Sequence, residues 1–173
     1  MSVHEVASAG TSIWLDDLSR AKITGTDAHS LPSRIANSGV VGVTTNPSIF
    51  SGAISGAAEY SADIAAMKGA TVDDVVKKLT TDDVRQACDL FAPIFSGSKG
   101  FDGRVSIEVD PRLARDTEGT IAAGKELWSI IDRPNVMIKV PATVEGLPAI
   151  TALIAAGISV NVTLIFSVKR YGQ

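Results

Sequence analysis

The segment Val136-Met137-Ile138-Lys139-Val140 poses the question that settles the fold. Side chains alternate across a β-strand, so Val136, Ile138 and Val140 share one face while Met137 and Lys139 share the other. In an antiparallel sheet the second face can simply meet water. In a parallel sheet, crossover helices enclose the strands, and a lysine on that face lies inside the protein. Burying an unpaired charge is costly, so such a lysine needs a partner or a chemical role. Whether the sheet is parallel has to be read from the rest of the chain.

Four more Val- and Ile-rich runs read as strands: 12–16, 40–44, 105–109 and 158–164. Such residues suit a pleated, half-buried surface. Helical patterns lie between the runs. Thr71 with Asp74 matches a capping box. Thr81 with Asp82 and Asp83 reads as another helix start, followed at helical spacing by Val84, Ala87, Cys88 and Phe91 until Pro93, which ends or kinks a helix. Ile121, Gly124, Trp128 and Ile131 make a further stripe. Residues 145–156 read as a helix with Leu147, Ile150 and Ile154 on one face and Gly157 as its stop. The Ala-rich stretch 51–69 also reads as helical.

Strand–helix alternation implies a parallel sheet with right-handed crossovers. Two architectures fit it, an open doubly wound sheet and a (β/α)8 barrel. A barrel spends ~31 residues on each βα unit, so 173 residues supply about five and a half units. If the fold is a barrel, the chain stops before it closes.

Composition narrows the function. The chain is 45% hydrophobic and 20% charged, which excludes a disordered chain. A net charge of -3 argues against a nucleic-acid binder, which needs a basic surplus on one face. The single Cys88 cannot form an internal disulfide, and the first ten residues hold no apolar signal core, so a reducing, cytoplasmic home is expected. The most apolar stretch, 150–166, is shorter than the ~20 residues of a spanning helix and is broken by Gly157, Ser159 and Asn161. No membrane partner is expected.

Each strand has one apolar face and one that turns polar toward its C-terminal end. The polar faces carry Asp16, then Thr44 with Asn46 just beyond, then Glu108, Lys139, and finally Asn161 with Thr163. In a barrel these converge at the C-terminal mouth, where barrel active sites are built. The plainer readings are a structural ion-pair cluster and, for Thr44, Asn46 and Pro47, a strand-to-loop turn. A lysine among carboxylates and hydroxyls suits Schiff-base chemistry with a ketone. Free lysine has a pKa of ~10.4, so only ~1 in 2500 is a neutral amine at pH 7. Neighbouring acids would move the protons of carbinolamine dehydration and C–C cleavage.

Two segments resemble the signatures of transaldolases: GVTTNPSIF at 42–50 and VMIKVPATVEGL at 136–147. SIWLDD, VSIEVD and NVTLIFS fit the same family's pattern in the expected order, and the resemblance covers essentially the whole chain. It implies an α/β fold, a (β/α)8 TIM barrel of the class I aldolase kind. Residues 1–173 would then be one incomplete domain holding about the first five βα units, without strands six to eight. It implies a transferase of the pentose phosphate pathway. Such an enzyme moves a dihydroxyacetone unit from fructose 6-phosphate or sedoheptulose 7-phosphate to an aldose phosphate.

By the same resemblance, Lys139 is the Schiff-base residue, and Asp16 rather than Asp17 is the general acid/base at the C4 hydroxyl. Glu108 and Thr163 hold a proton-shuttling water. Asn46 and Asn161 bind substrate hydroxyls, with Thr44 nearby. No metal or organic cofactor is implied, because the iminium is the electron sink. Sugar phosphates are the expected partners, together with self-association through an open barrel edge. One alternative is a lyase resembling fructose 6-phosphate aldolase, but those enzymes tend to carry Gln where this chain has Glu108. Another is an inactive fragment, since family members continue through three more strands that bear the phosphate-binding Ser and Arg residues.

Overall fold

A computed structural model describes residues 3–173. In chain order the elements are α1 (Val3–Ser8), β1 (Ile13–Asp16), α2 (Arg20–Thr24), α3 (Leu31–Ser38), β2 (Val40–Thr44) and α4 (Pro47–Ile54). There follow α5 (Ser61–Ala66), α6 (Val72–Gly97), β3 (Arg104–Glu108), α7 (Thr117–Ile131), β4 (Val136–Pro141), α8 (Gly146–Ala155), β5 (Val160–Thr163) and α9 (Val168–Tyr171). The five strands form one parallel sheet in the order β1-β2-β3-β4-β5. A doubly wound sheet reverses its strand order part-way, and this one does not. The sheet curls into a half-barrel, the first five units of a (β/α) barrel.

The apolar faces of the strands point to the helices, as alternation predicts. Val43, Val105, Ile107, Val109, Val136, Ile138 and Val140 are buried with Val84, Ala87, Cys88 and Phe91 of α6, Leu127 and Ile131 of α7, and Ile150 and Leu153 of α8. The other face lines the interior of the curl. A Cβ at Gly42 would lie 2.5 Å from the Trp14 ring, so glycine is what lets that indole lie across β2. Trp14 thereby closes the interior beneath Asp16, two residues further along the same face of β1.

Several boundaries differ from the sequence reading. No helix begins at Thr81: α6 runs unbroken from Val72 to Gly97 with Pro93 inside it. The Thr81 hydroxyl donates to the Lys77 carbonyl at 2.8 Å instead of capping a new start, and Asp83 is fully buried. Tertiary burial of one long face outweighs these local stop signals. Thr71 does cap α6, accepting from the Asp74 N–H at 3.1 Å. The Ala-rich stretch is not one helix. It divides into the end of α4, a 3-10 turn (Ala58–Tyr60) and α5, with left-handed Gly56 (φ 73°) at the break.

On α8 the buried residues are Gly146, Ala149, Ile150 and Leu153, and Ile154 turns outward, 57% exposed. Gly157 does stop that helix region, at φ 79°. The fifth strand is shorter than expected, because Leu164 adopts φ 62° directly after Thr163.

Candidate active site

Parallel pairing brings the C-terminal ends of all five strands to one rim, and every residue singled out in the sequence lies there. Asp16 ends β1, Thr44 ends β2 and Glu108 ends β3, while Lys139 lies on β4 and Asn161 and Thr163 on β5. The register sets Asp16 beside Thr44, Glu108 beside Lys139, and Lys139 beside Asn161.

Three contacts define the site. Lys139 Nζ lies 3.3 Å from Glu108 Oε2, and both side chains are only 13% exposed. The same Nζ donates to the carbonyl of Thr45 at 3.3 Å. The Thr44 hydroxyl donates to the Asp16 carboxylate, which is otherwise open to solvent. Glu108 is thus ion-paired with the amine, while Asp16 is bonded to Thr44. Asp17 pairs with Lys22, and the cap of α2 is Ser19 rather than Asp17.

Asn161 donates its amide to the Ser106 hydroxyl at 2.9 Å. Asn46 caps α4, its Oδ1 accepting from the Ile49 N–H at 2.9 Å. The turn reading is therefore correct for its oxygen. Glu108 and Thr163 share no direct hydrogen bond among the described residues. The Thr163 carbonyl accepts from the Ala142 N–H at 2.8 Å.

Sequence reasoning missed three participants. Ser106 is buried and shares the inner face with Glu108, so alternation alone could have found it. Thr45 lies just past the end of β2, where no periodicity speaks for it. The third is a polar knot outside the sheet. Tyr60 donates its hydroxyl to Asp83 at 2.6 Å and accepts from the Arg20 N–H at 2.9 Å. The Arg20 guanidinium reaches Asp83 at 3.0 Å and stacks on the Tyr60 ring at 4.6 Å. Burial pushes the Tyr60 phenol and the Asp83 carboxyl up, while Arg20 opposes both. The knot fixes the start of α2, four residues after Asp16. An Asp on the buried stripe of α6 was the available signal.

A cavity of about 550 Å³ opens beside Asn46 and Glu108, but its floor is Ile107 and Val109, which face the helices. Lys139 is not among the residues that line it. Among the described residues no three His, Cys, Asp or Glu side chains are placed to hold a metal ion, and no helix is long and apolar enough to cross a membrane.

Comparison with known proteins agrees with this arrangement. A family model described as transaldolase/fructose-6-phosphate aldolase matches residues 13–173. The chain belongs to this family. It is 55% identical over 172 residues to a transaldolase of Saccharopolyspora erythraea, covering 98% of this chain and 46% of the relative. It is 58% identical over 168 residues to a transaldolase of Mycolicibacterium smegmatis, covering 96% of this chain and 44% of the relative. The chain thus spans about half the length of the curated relatives it matches.

Proposed function

We propose that the chain carries the Schiff-base half of a transaldolase site of the pentose phosphate pathway, acting in the cytoplasm. The observation that carries this reading is the Lys139 amine, enclosed on the inner face and 3.3 Å from Glu108 at the rim. Lys139 attacks the C2 carbonyl of fructose 6-phosphate or sedoheptulose 7-phosphate. Glu108, through a water shared with Thr163, supplies the proton that lets the carbinolamine lose water. Asp16, oriented by the Thr44 hydroxyl, takes the C4 hydroxyl proton as the C3–C4 bond breaks and an aldose phosphate leaves. The electron pair of that bond enters the iminium, so the chemistry needs no metal or organic cofactor. Asn161 and the Asn46 amide hold hydroxyls of the bound dihydroxyacetone unit until an acceptor aldose phosphate arrives.

Glu108 favours a transferase over an aldolase-like lyase, because a carboxylate can both give and take the shuttled proton. Release of free dihydroxyacetone without an acceptor, as fast as transfer, would reverse that choice.

The chain alone is expected to have little or no transaldolase activity, since it spans about half the length of its relatives and β5 is an open edge of the sheet. Val162, Leu164, Phe166, Val168 and Tyr171 are exposed near that open edge and support association there. Borohydride reduction in the presence of fructose 6-phosphate tests the reading. It should fix a dihydroxyacetone unit on Lys139. No adduct, or an adduct on another lysine, overturns it. Turnover at a full transaldolase rate by the 18.0 kDa chain would overturn the expectation of little or no activity.

A further inference from the structure

Lys139 has an ion-pair partner in Glu108 and a hydrogen-bond acceptor in the Thr45 carbonyl, and only the first belongs to the proton chemistry. Glu108 must change protonation if it shuttles protons, so its hold on the amine is intermittent. The Thr45 carbonyl, 3.3 Å from the same Nζ, cannot titrate. We infer that Thr45 is a positioning residue for the Lys139 amine. Its buried hydroxyl ties the end of β2 to β3, and its carbonyl, fixed in this way, holds one N–H of the amine throughout the reaction. This rests on the reading of Lys139 as the nucleophile.

The placement of Thr45 supports the role. The strand ladder of β2 ends at Thr44, so the next carbonyl is available to a side chain. Thr45 is fully buried, and its hydroxyl donates to the Ser106 carbonyl at 2.7 Å. The Ser106 hydroxyl in turn accepts from Asn161 at 2.9 Å. Through these bonds β2, β3 and β5 are tied together around the lysine of β4. A lysine stem has four rotatable carbons and one point charge, so Glu108 on β3 and the Thr45 carbonyl just past β2 together fix the amine where one partner would leave it free to swing. Valine has nearly the shape of threonine but lacks the hydroxyl. Serine keeps the hydroxyl and lacks only the methyl.

The experiment is competitive acetylation with acetic anhydride, read by peptide mass spectrometry as the rate at Lys139 relative to exposed Lys99 in the same molecule. In T45V the ratio should rise by about two- to tenfold, the worth of one hydrogen bond. T45S should restore the wild-type ratio, which a merely structural effect of altering Thr45 would not do. Equal ratios in T45V and wild type, or an equal change in T45S and T45V, overturn the assignment. If T45V does not fold by circular dichroism, T45A takes its place with the same expectation. Borohydride trapping with dihydroxyacetone, run alongside, separates the two claims. An absence of adduct in the wild type defeats the Schiff-base reading, while the acetylation ratios still decide the role of Thr45.

Discussion

Replacing Tyr60 with phenylalanine removes one oxygen and leaves the ring. That oxygen makes two buried bonds, donating to Asp83 at 2.6 Å and accepting from the Arg20 N–H at 2.9 Å. Tyr60 is 1% exposed and Asp83 is fully buried, so water cannot replace either bond without opening the structure. The bond to the carboxylate is charge-assisted and contributes ~1.5–3 kcal/mol. The Arg20 N–H is left without its acceptor, at ~1 kcal/mol or more. Asp83 keeps the Arg20 guanidinium, which limits the loss. The expected destabilisation is therefore about 2–4 kcal/mol. A domain of 150–250 residues loses roughly 2–4 °C in Tm per kcal/mol, so the midpoint should fall by about 5–15 °C. Urea unfolding followed by circular dichroism measures this, with the m-value unchanged if only the native state is affected. A loss under about 0.5 kcal/mol would show that the knot does not hold α2, and the account of how the β1–α2 turn is fixed would be wrong.

Other consequences follow from single contacts. Gly42→Ala places a Cβ 2.5 Å from the Trp14 ring and should cost about 1–3 kcal/mol by displacing the indole, seen as a changed near-ultraviolet circular dichroism band. Asp16→Asn should still accept dihydroxyacetone onto Lys139. Its cleavage of fructose 6-phosphate in a single turnover should fall by about 10²-fold or more, and equal losses in both steps would contradict the division of roles. Burial pushes the Cys88 thiol up to about 12, so native protein should resist a thiol reagent at neutral pH and react fully once unfolded. The same shift has a pH signature. The folded state holds the thiol proton more tightly than the unfolded one, so this share of stability is intact below pH 9, is lost as pH rises from 9 to 12, and disappears from the profile in C88A.

Much of the fold was legible because it depends on short-range alternation. Val105 and Ile107 against Ser106 and Glu108, and Ile138 against Lys139, set two faces that no longer-range contact overrode. The convergence of Asp16, Thr44, Glu108, Lys139 and Asn161 then followed from parallel pairing alone. The course of α6 did not follow from local pattern. Thr81, Asp82 and Asp83 imitate a helix start, and what suppresses it is Asp83 turning inward to Tyr60 and Arg20, 23 and 63 residues away in the chain. A local window cannot see partners at that distance. The role of Thr45 was hidden for a related reason. It acts through a carbonyl just past the end of a strand, and backbone acceptors leave no mark in a sequence. Asn46 shows a third limit, since an Asn that caps α4 and an Asn proposed to bind a hydroxyl look the same in a sequence.

The central claim is that Lys139, enclosed beside Glu108, is the residue that forms a covalent bond to the ketose. Peptide mapping after borohydride reduction with isotopically labelled dihydroxyacetone tests it most directly, with K139M treated in parallel. The account predicts one labelled peptide, carrying Lys139, and none in K139M. Label on any other lysine, or label persisting in K139M, would contradict it.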